Sequence, residues 1–211
     1  MEQIKTITIR DNEDFLRQVS TPVVFPDNEL KENIQLLEQY FNQSDITLAL
    51  AAVQLGIPKR LIYLKNTNLE LLNRKNNNLA TEEDKLYNEH RVLINPIIIS
   101  REGLTEYWEV CASCLDNVGH VQRPYKITVE YQDINGNHHS EVFEGFESTV
   151  LSHEMDHLDG ILHIDIADEI LHIPREERKE FRKTHGYDIV SKAGDFNELL
   201  KDLKAKRKIK E

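Results

Sequence analysis

His153-Glu154-Met155-Asp156-His157, preceded by Gly145-Phe146-Glu147-Ser148-Thr149-Val150-Leu151-Ser152 and followed by Leu158-Asp159-Gly160, is the stretch around which this chain is organised. Phe146, Val150, His153 and His157 recur at helical spacing, and Gly160 stands where a left-handed cap ends a helix, so the spacing predicts a helix. Two imidazoles four residues apart then leave one face, a geometry that suits a single divalent transition metal. Glu154, one position further round, reaches a water beside such a metal as general base. The opposing reading is a pair of satisfied helix histidines with a solvated glutamate, and it leaves the joint spacing of the three residues without a cause.

Two kinds of metal site contain such a helix. In the first, an HExxH zinc metallopeptidase, the third ligand lies downstream: His153, Glu154, His157, Gly160 and His163 match the long metzincin signature position by position. That family also needs a methionine turn after the third histidine, and the methionines here are Met1 and Met155. The alternation from Ile161 to Ile166 predicts a short strand with Leu162, Ile164 and Ile166 inward and His163 outward, partly exposed. In the second kind of site the third ligand lies upstream. Cys111, in Tyr107-Trp108-Glu109-Val110-Cys111-Ala112-Ser113, completes with two histidines a tetrahedral set that keeps one position open.

The chain has 211 residues, 39% of them hydrophobic, enough for one domain with its own core. Met1-Glu2-Gln3-Ile4-Lys5 lacks the apolar run of a signal peptide, and no eighteen apolar residues follow one another, which predicts a soluble, cytoplasmic protein with no membrane partner. The two cysteines, Cys111 and Cys114, argue against a disulfide framework. They form a C-x-x-C, for which a redox pair or zinc knuckle is the rival reading; no second C-x-x-C completes a four-cysteine site. In an extended segment the odd separation puts the two thiols on opposite faces, so one alone reaches the helix histidines.

Along the chain, Ile4 to Ile9 alternates as a short strand or extended arm, and Leu30, Ile34, Leu37 and Tyr40 keep helical spacing on a surface helix. Thr47 to Gln54 is apolar, and Arg60 to Leu64 reads as a buried strand. Gln54, lone and polar among alanines and aliphatics, either pairs with backbone or serves a site. Residues 66–91, rich in asparagine and charge, read as a surface insertion. Val92 to Ile99 reads as a strand broken by Asn95-Pro96, Thr105 to Cys111 as another, and Lys126 to Tyr131 turns at Asn135-Gly136 into Ser140 to Phe143. The expected fold class is α+β: antiparallel strands packed around a central metal-binding helix, with a C-terminal helical tail. Residues 1–170 form the catalytic domain. Residues 171–211 form a charged, helical extension whose local charge of +4 contrasts with −11 for the whole chain. Its basic end is either a solvated terminus or a weak contact with ribosomal RNA.

Three segments together resemble a known family, the peptide deformylases, whose motifs are G-x-G-L-A-A-x-Q, E-G-C-x-S and H-E-x-D-H in that order. Here they stand as Thr47-Leu48-Ala49-Leu50-Ala51-Ala52-Val53-Gln54, Glu109-Val110-Cys111-Ala112-Ser113 and His153 to His157, within a resemblance running from about Leu16-Arg17 to Asp165. The register selects Cys111 over Cys114 and brings Val121 and Arg123 onto the family's V-x-R segment. The resemblance implies a metal-dependent hydrolase that removes the formyl group from N-formylmethionyl nascent peptides, with no role on DNA. It implies Cys111, His153 and His157 as ligands of one divalent ion, Fe²⁺ by family habit, with Zn²⁺, Ni²⁺ or Co²⁺ able to replace it. It implies Glu154 as general acid and base, with the Gln54 side chain and the Ala112 N–H on the developing oxyanion. Leu48, Thr149 and Val150 fall where the family builds its methionine pocket. Thr47, Ala49 and Val110 replace motif glycines beside the substrate path, where added side chains narrow the groove. A metal-binding but catalytically weak relative that acts by binding at the ribosome is the alternative this departure leaves open.

Overall fold

The computed structural model describes residues 3–44, 47–65 and 90–208. Most of the expected insertion at 66–91 therefore lies outside the described residues. Eight strands form one antiparallel sheet: β1 (Ala49–Ala51), β2 (Leu61–Lys65), β3 (His90–Val110), β4 (Asn117–Arg123), β5 (Lys126–Gln132), β6 (His138–Glu144), β7 (Glu169–His172) and β8 (Asp188–Asp195). The helices are α1 (Ile9–Leu16), α2 (Leu30–Asn42), α3 (Phe146–Leu158), α4 (His163–Ile166), α5 (Arg178–Thr184) and α6 (Phe196–Lys208).

β3 is the spine. Its 21 residues pair with β2 through His90 to Ile94, with β5 through Ile94 to Glu102, and with β4 through Thr105 to Val110. So long a strand must bend, and it does so at a register shift between Ile94 and Ile97. Asn95 takes a positive φ of 52° there, and Pro96 contributes no N–H to the ladder. The expected break at Asn95-Pro96 is therefore a bulge within one continuous strand. The Asn95 amide replaces the lost pairing by bonding Val23 N at 2.8 Å, Val23 O at 2.9 Å and the Gln132 side chain at 2.8 Å.

The apolar run of β2 is explained by burial on both faces. Ile62 and Leu64 join Ala49, Ala51, Leu93 and Val129 in a core against Leu151, Met155 and Leu158 of α3. On the opposite face, Leu61, Tyr63 and Leu50 meet Leu30, Leu37 and Phe41 of α2. Each fully buried leucine here is worth about 2–5 kcal/mol against truncation to alanine. α3 is thereby pinned across the sheet, and it ends at Gly160, whose φ of 74° fits the expected left-handed stop. A Cβ at Gly160 would also lie 2.1 Å from the Arg17 carbonyl oxygen.

Three expectations need correction. Ile161 to Ile166 is not a strand: Leu162 leads into α4, whose Asp165 carboxylate accepts from the Leu162 N–H at 2.8 Å. His163 consequently turns inward and is buried, because helical spacing replaces the assumed alternation. The C-terminal segment is not wholly helical, since the β-branched run of β8 adds to the edge of β3 before α6 begins. The boundary expected at residue 171 falls inside β7, which pairs with β4. Among the described residues no helix is long and apolar enough to cross a membrane.

Candidate active site

Glu109 and Cys111 sit two residues apart at the end of β3, so the strand's period of two sends both side chains toward α3. From α3, His153 and His157 meet them. Sγ of Cys111 lies 3.2 Å from Nε2 of His157, and the donor atoms of Cys111, His153 and His157 all fall within 4.8 Å of one another. Nδ1 of His153 is 2.8 Å from a Glu109 oxygen, which holds the ring and leaves Nε2 as the donor for an ion. A buried thiol with two imidazoles in this arrangement fits a divalent transition metal with one open position.

The separation of the two cysteines has a different cause from the one expected. Ala112–Cys114 is a 3₁₀ turn, not an extended segment, with Cys114 N bonded to Cys111 O at 3.2 Å. The turn buries Cys114 in an apolar cluster with Leu16, Leu162 and Cys111 itself, while Cys111 is the thiol that joins the histidines in the donor cluster. His163 is also close, its ring 5.5 Å from that of His153, yet it lies outside the three-donor cluster and packs against Gly119 and Ala167. The downstream-ligand reading therefore fails on geometry.

Glu154 is buried beside the ligands, and its carboxylate accepts from the Ala51 N–H at 2.8 Å. Burial pushes its pKa up to about 7. Gln54 lies in the 3₁₀ turn Ala52–Leu55 that follows β1. Its oxygen accepts from Ala51 N at 3.1 Å, while its Nε2 donates to Ser113 Oγ at 3.1 Å and lies 3.4 Å from Cys111 Sγ. One end of Gln54 thus pairs with backbone, and the other lies against Ser113 and Cys111. Ala51 is the common support, because its N–H anchors both Gln54 and Glu154.

Gln54, Glu109, Cys111, His153 and Glu154 line one cleft of about 830 Å³. Leu48, Ala49, Val110, Ala112, Thr149 and Val150 all border it, so the expected substrate-binding residues are brought together. Ala49 and Val110 are strand residues, and the non-glycine residues with positive φ among those described are Asn95 and Leu115. The replaced glycines are not needed for unusual backbone here, which leaves close approach of a ligand as the effect of the added side chains.

Sequence reasoning missed the support beneath the ligands. Arg123 donates to Glu109 from Nε at 2.8 Å and Nη2 at 3.0 Å, and to Asp156 at 2.5 Å. Burial pushes Glu109 up, but the Arg123 charge and the His153 hydrogen bond outweigh it, and the carboxyl lies well below its ordinary range. The shared strand face of Glu109 and Cys111 was the available signal. The N-terminal arm was also unread: Ile7 N bonds Gln54 O at 2.8 Å, and residues 3–6 border the cleft.

A thiol and two histidines at an open cleft, with a buried glutamate and an amide donor beside them, define a metal-dependent hydrolase. A model of the family described as polypeptide deformylase matches residues 4–172. A peptide deformylase of Rhizobium meliloti is 38% identical over 157 residues, covering 74% of this chain and 80% of that protein. One from Pelagibacter ubique is 33% identical over 169 residues, covering 79% and 88%. The crystal structure of a Synechococcus elongatus peptide deformylase in complex with actinonin is 30% identical, with a TM-score of 0.62 over 86% of this chain and 85% of that one. The chain belongs to the peptide deformylase family.

Proposed function

We propose that this protein removes the formyl group from the N-terminal methionine of nascent polypeptides in the cytoplasm. The observation that carries this reading is the donor cluster of Cys111, His153 and His157 set against a cleft that Cys111, His153, Glu154 and Gln54 line together. Cys111, His153 and His157 would hold the ion, Fe²⁺ by family expectation. When bound, a divalent ion supplies Lewis acidity toward the formyl carbonyl and toward water.

The remaining work belongs to the chain. Glu154, raised to near neutrality and fixed by Ala51, takes the proton of the attacking water and returns it to the departing amine nitrogen. Gln54 Nε2 and the Ala112 N–H donate to the formyl oxygen as its charge develops. Leu48, Thr149 and Val150 receive the methionine side chain, and Ala49 and Val110 flank the extended peptide. Glu109 and Arg123 keep the His153 ring in one tautomer and orientation.

The test is formate release from formyl-Met-Ala-Ser by protein reconstituted anaerobically with Fe²⁺. Turnover that depends on the metal and on Glu154 supports the reading. A folded, metal-loaded protein that binds the peptide and releases no formate would instead favour the weak, binding-only relative. The exposed lysines Lys201, Lys204 and Lys206 of α6 are the segment expected to meet ribosomal RNA, and cosedimentation with ribosomes across a salt series checks it.

A further inference from the structure

The family match ends at residue 172, yet the chain beyond it returns to the cleft. Arg175, Arg178 and Arg182 border its mouth, and Lys5 of the N-terminal arm and Arg10 of α1 border it as well. The two rim carboxylates are already engaged. Asp11 accepts from the Thr8 N–H at 2.9 Å and the Thr8 hydroxyl at 2.6 Å, and Asp116 pairs with Arg178 at 3.3 Å. Five cations against these two carboxylates leave the mouth with surplus positive charge on a molecule of net −11. Such a local reversal of sign attracts anionic ligands to this opening.

One of these cations has a defined place. The Arg182 guanidinium sits over the Tyr107 ring, 5.9 Å from its centroid. Tyr107 packs on Phe146 at 5.3 Å and on Tyr187 at 5.9 Å between centroids. Phe146 lies one helical turn before Thr149 and Val150, so this aromatic group walls the side of the cleft assigned to methionine. In an extended peptide, side chains one and three share a face, about 6.6 Å apart. A peptide with methionine seated by Thr149 and Val150 and running along this wall would bring its third side chain beside Tyr107 and Arg182.

We propose that the C-terminal arginines make this protein favour formyl-methionyl peptides that carry an acidic side chain at the third residue. The inference deepens the proposed function and rests on it for the placement of methionine. The same charge could serve RNA phosphates, but the cations border the cleft that holds the reacting groups, which favours the peptide.

The experiment compares kcat/KM for formyl-Met-Ala-Glu and formyl-Met-Ala-Lys, with formyl-Met-Glu-Ala and formyl-Met-Lys-Ala as the second-residue series. The expected ratio of acidic to basic at position three is roughly two- to fivefold at low salt, the range for exposed ion pairs. It falls toward one at about 0.5 M NaCl. Arg182→Glu and Arg175→Glu each lower the ratio, whereas Lys179→Glu, on the same helix but away from the cleft, does not. Circular dichroism confirms that the exposed variants fold. A ratio of one or less overturns the proposal, as does an equal loss in Lys179→Glu or a larger preference in the second-residue series. A peptide ratio of one, with Arg182→Glu weakening retention on a polyphosphate column, assigns the arginines to nucleic acid and likewise overturns it. Titration with the unformylated products Met-Ala-Glu and Met-Ala-Lys reads the same ratio without turnover. Failure of deformylation with a retained binding preference would therefore sink the proposed function and not this inference.

Discussion

The Glu109 carboxylate lies 2.8 Å from Nδ1 of His153 and is gripped from its other side by two nitrogens of Arg123. A buried acid is thus kept ionised by a buried base, and the pair sets the ligand imidazole. Glu109→Gln should weaken metal binding by about 10–100-fold, as for loss of a carboxylate behind a ligand histidine. Competition with a chelator followed by metal analysis measures it; unchanged affinity would remove Glu109 from this role.

Glu154 accepts from the Ala51 N–H and is not a member of the three-donor cluster. Glu154→Gln should keep near-stoichiometric metal while kcat falls by roughly 10²–10⁴. Metal content and steady-state rates on one preparation decide it, and loss of metal would show the glutamate to be a ligand.

The two cysteines should separate cleanly. Cys111→Ser removes the thiolate ligand and most bound metal. Cys114→Ser should retain the metal but lose about 1–3 kcal/mol of stability, because it puts a hydroxyl among Leu16 and Leu162. Equal metal loss in both would overturn the assignment of Cys111.

Val110 faces Val118 across the β3–β4 ladder and also borders the cleft beside Ala49. Restoring glycine at both positions should raise kcat/KM for formyl-Met peptides, tenfold for each 1.4 kcal/mol recovered. The same change should cost about 1 kcal/mol or more in folding. A folded, metal-loaded double variant with no kinetic gain would show that these side chains do not obstruct the groove.

Gly160 has both a left-handed φ and the Arg17 carbonyl against the place of its missing Cβ. Gly160→Ala should destabilise by about 2 kcal/mol or more, lowering Tm by roughly 4–8 °C at this chain length. An unchanged melt would mean that the Arg17 turn moves freely away from α3.

The helix that carries His153, Glu154 and His157, and its glycine stop, were legible because they are local: 3.6 residues per turn and one αL position determine them without reference to the rest of the chain. The upstream cysteine was legible through motif order, and the Asn135-Gly136 hairpin through turn chemistry. Tertiary structure decided what depends on distant partners. His163 turned inward because α4 packs on Gly119, a pairing that alternation along Ile161 to Ile166 cannot report. Arg123 and Glu109 became one unit because β4 lies beside β3 in antiparallel register. The arginines beyond residue 172 reached the cleft mouth because they lie on the chain between β7, which pairs with β4, and β8, which pairs with β3. A one-dimensional pattern encodes which face a residue presents; which other face it meets is set by packing, where burial of the whole core selects one arrangement of elements over the rest.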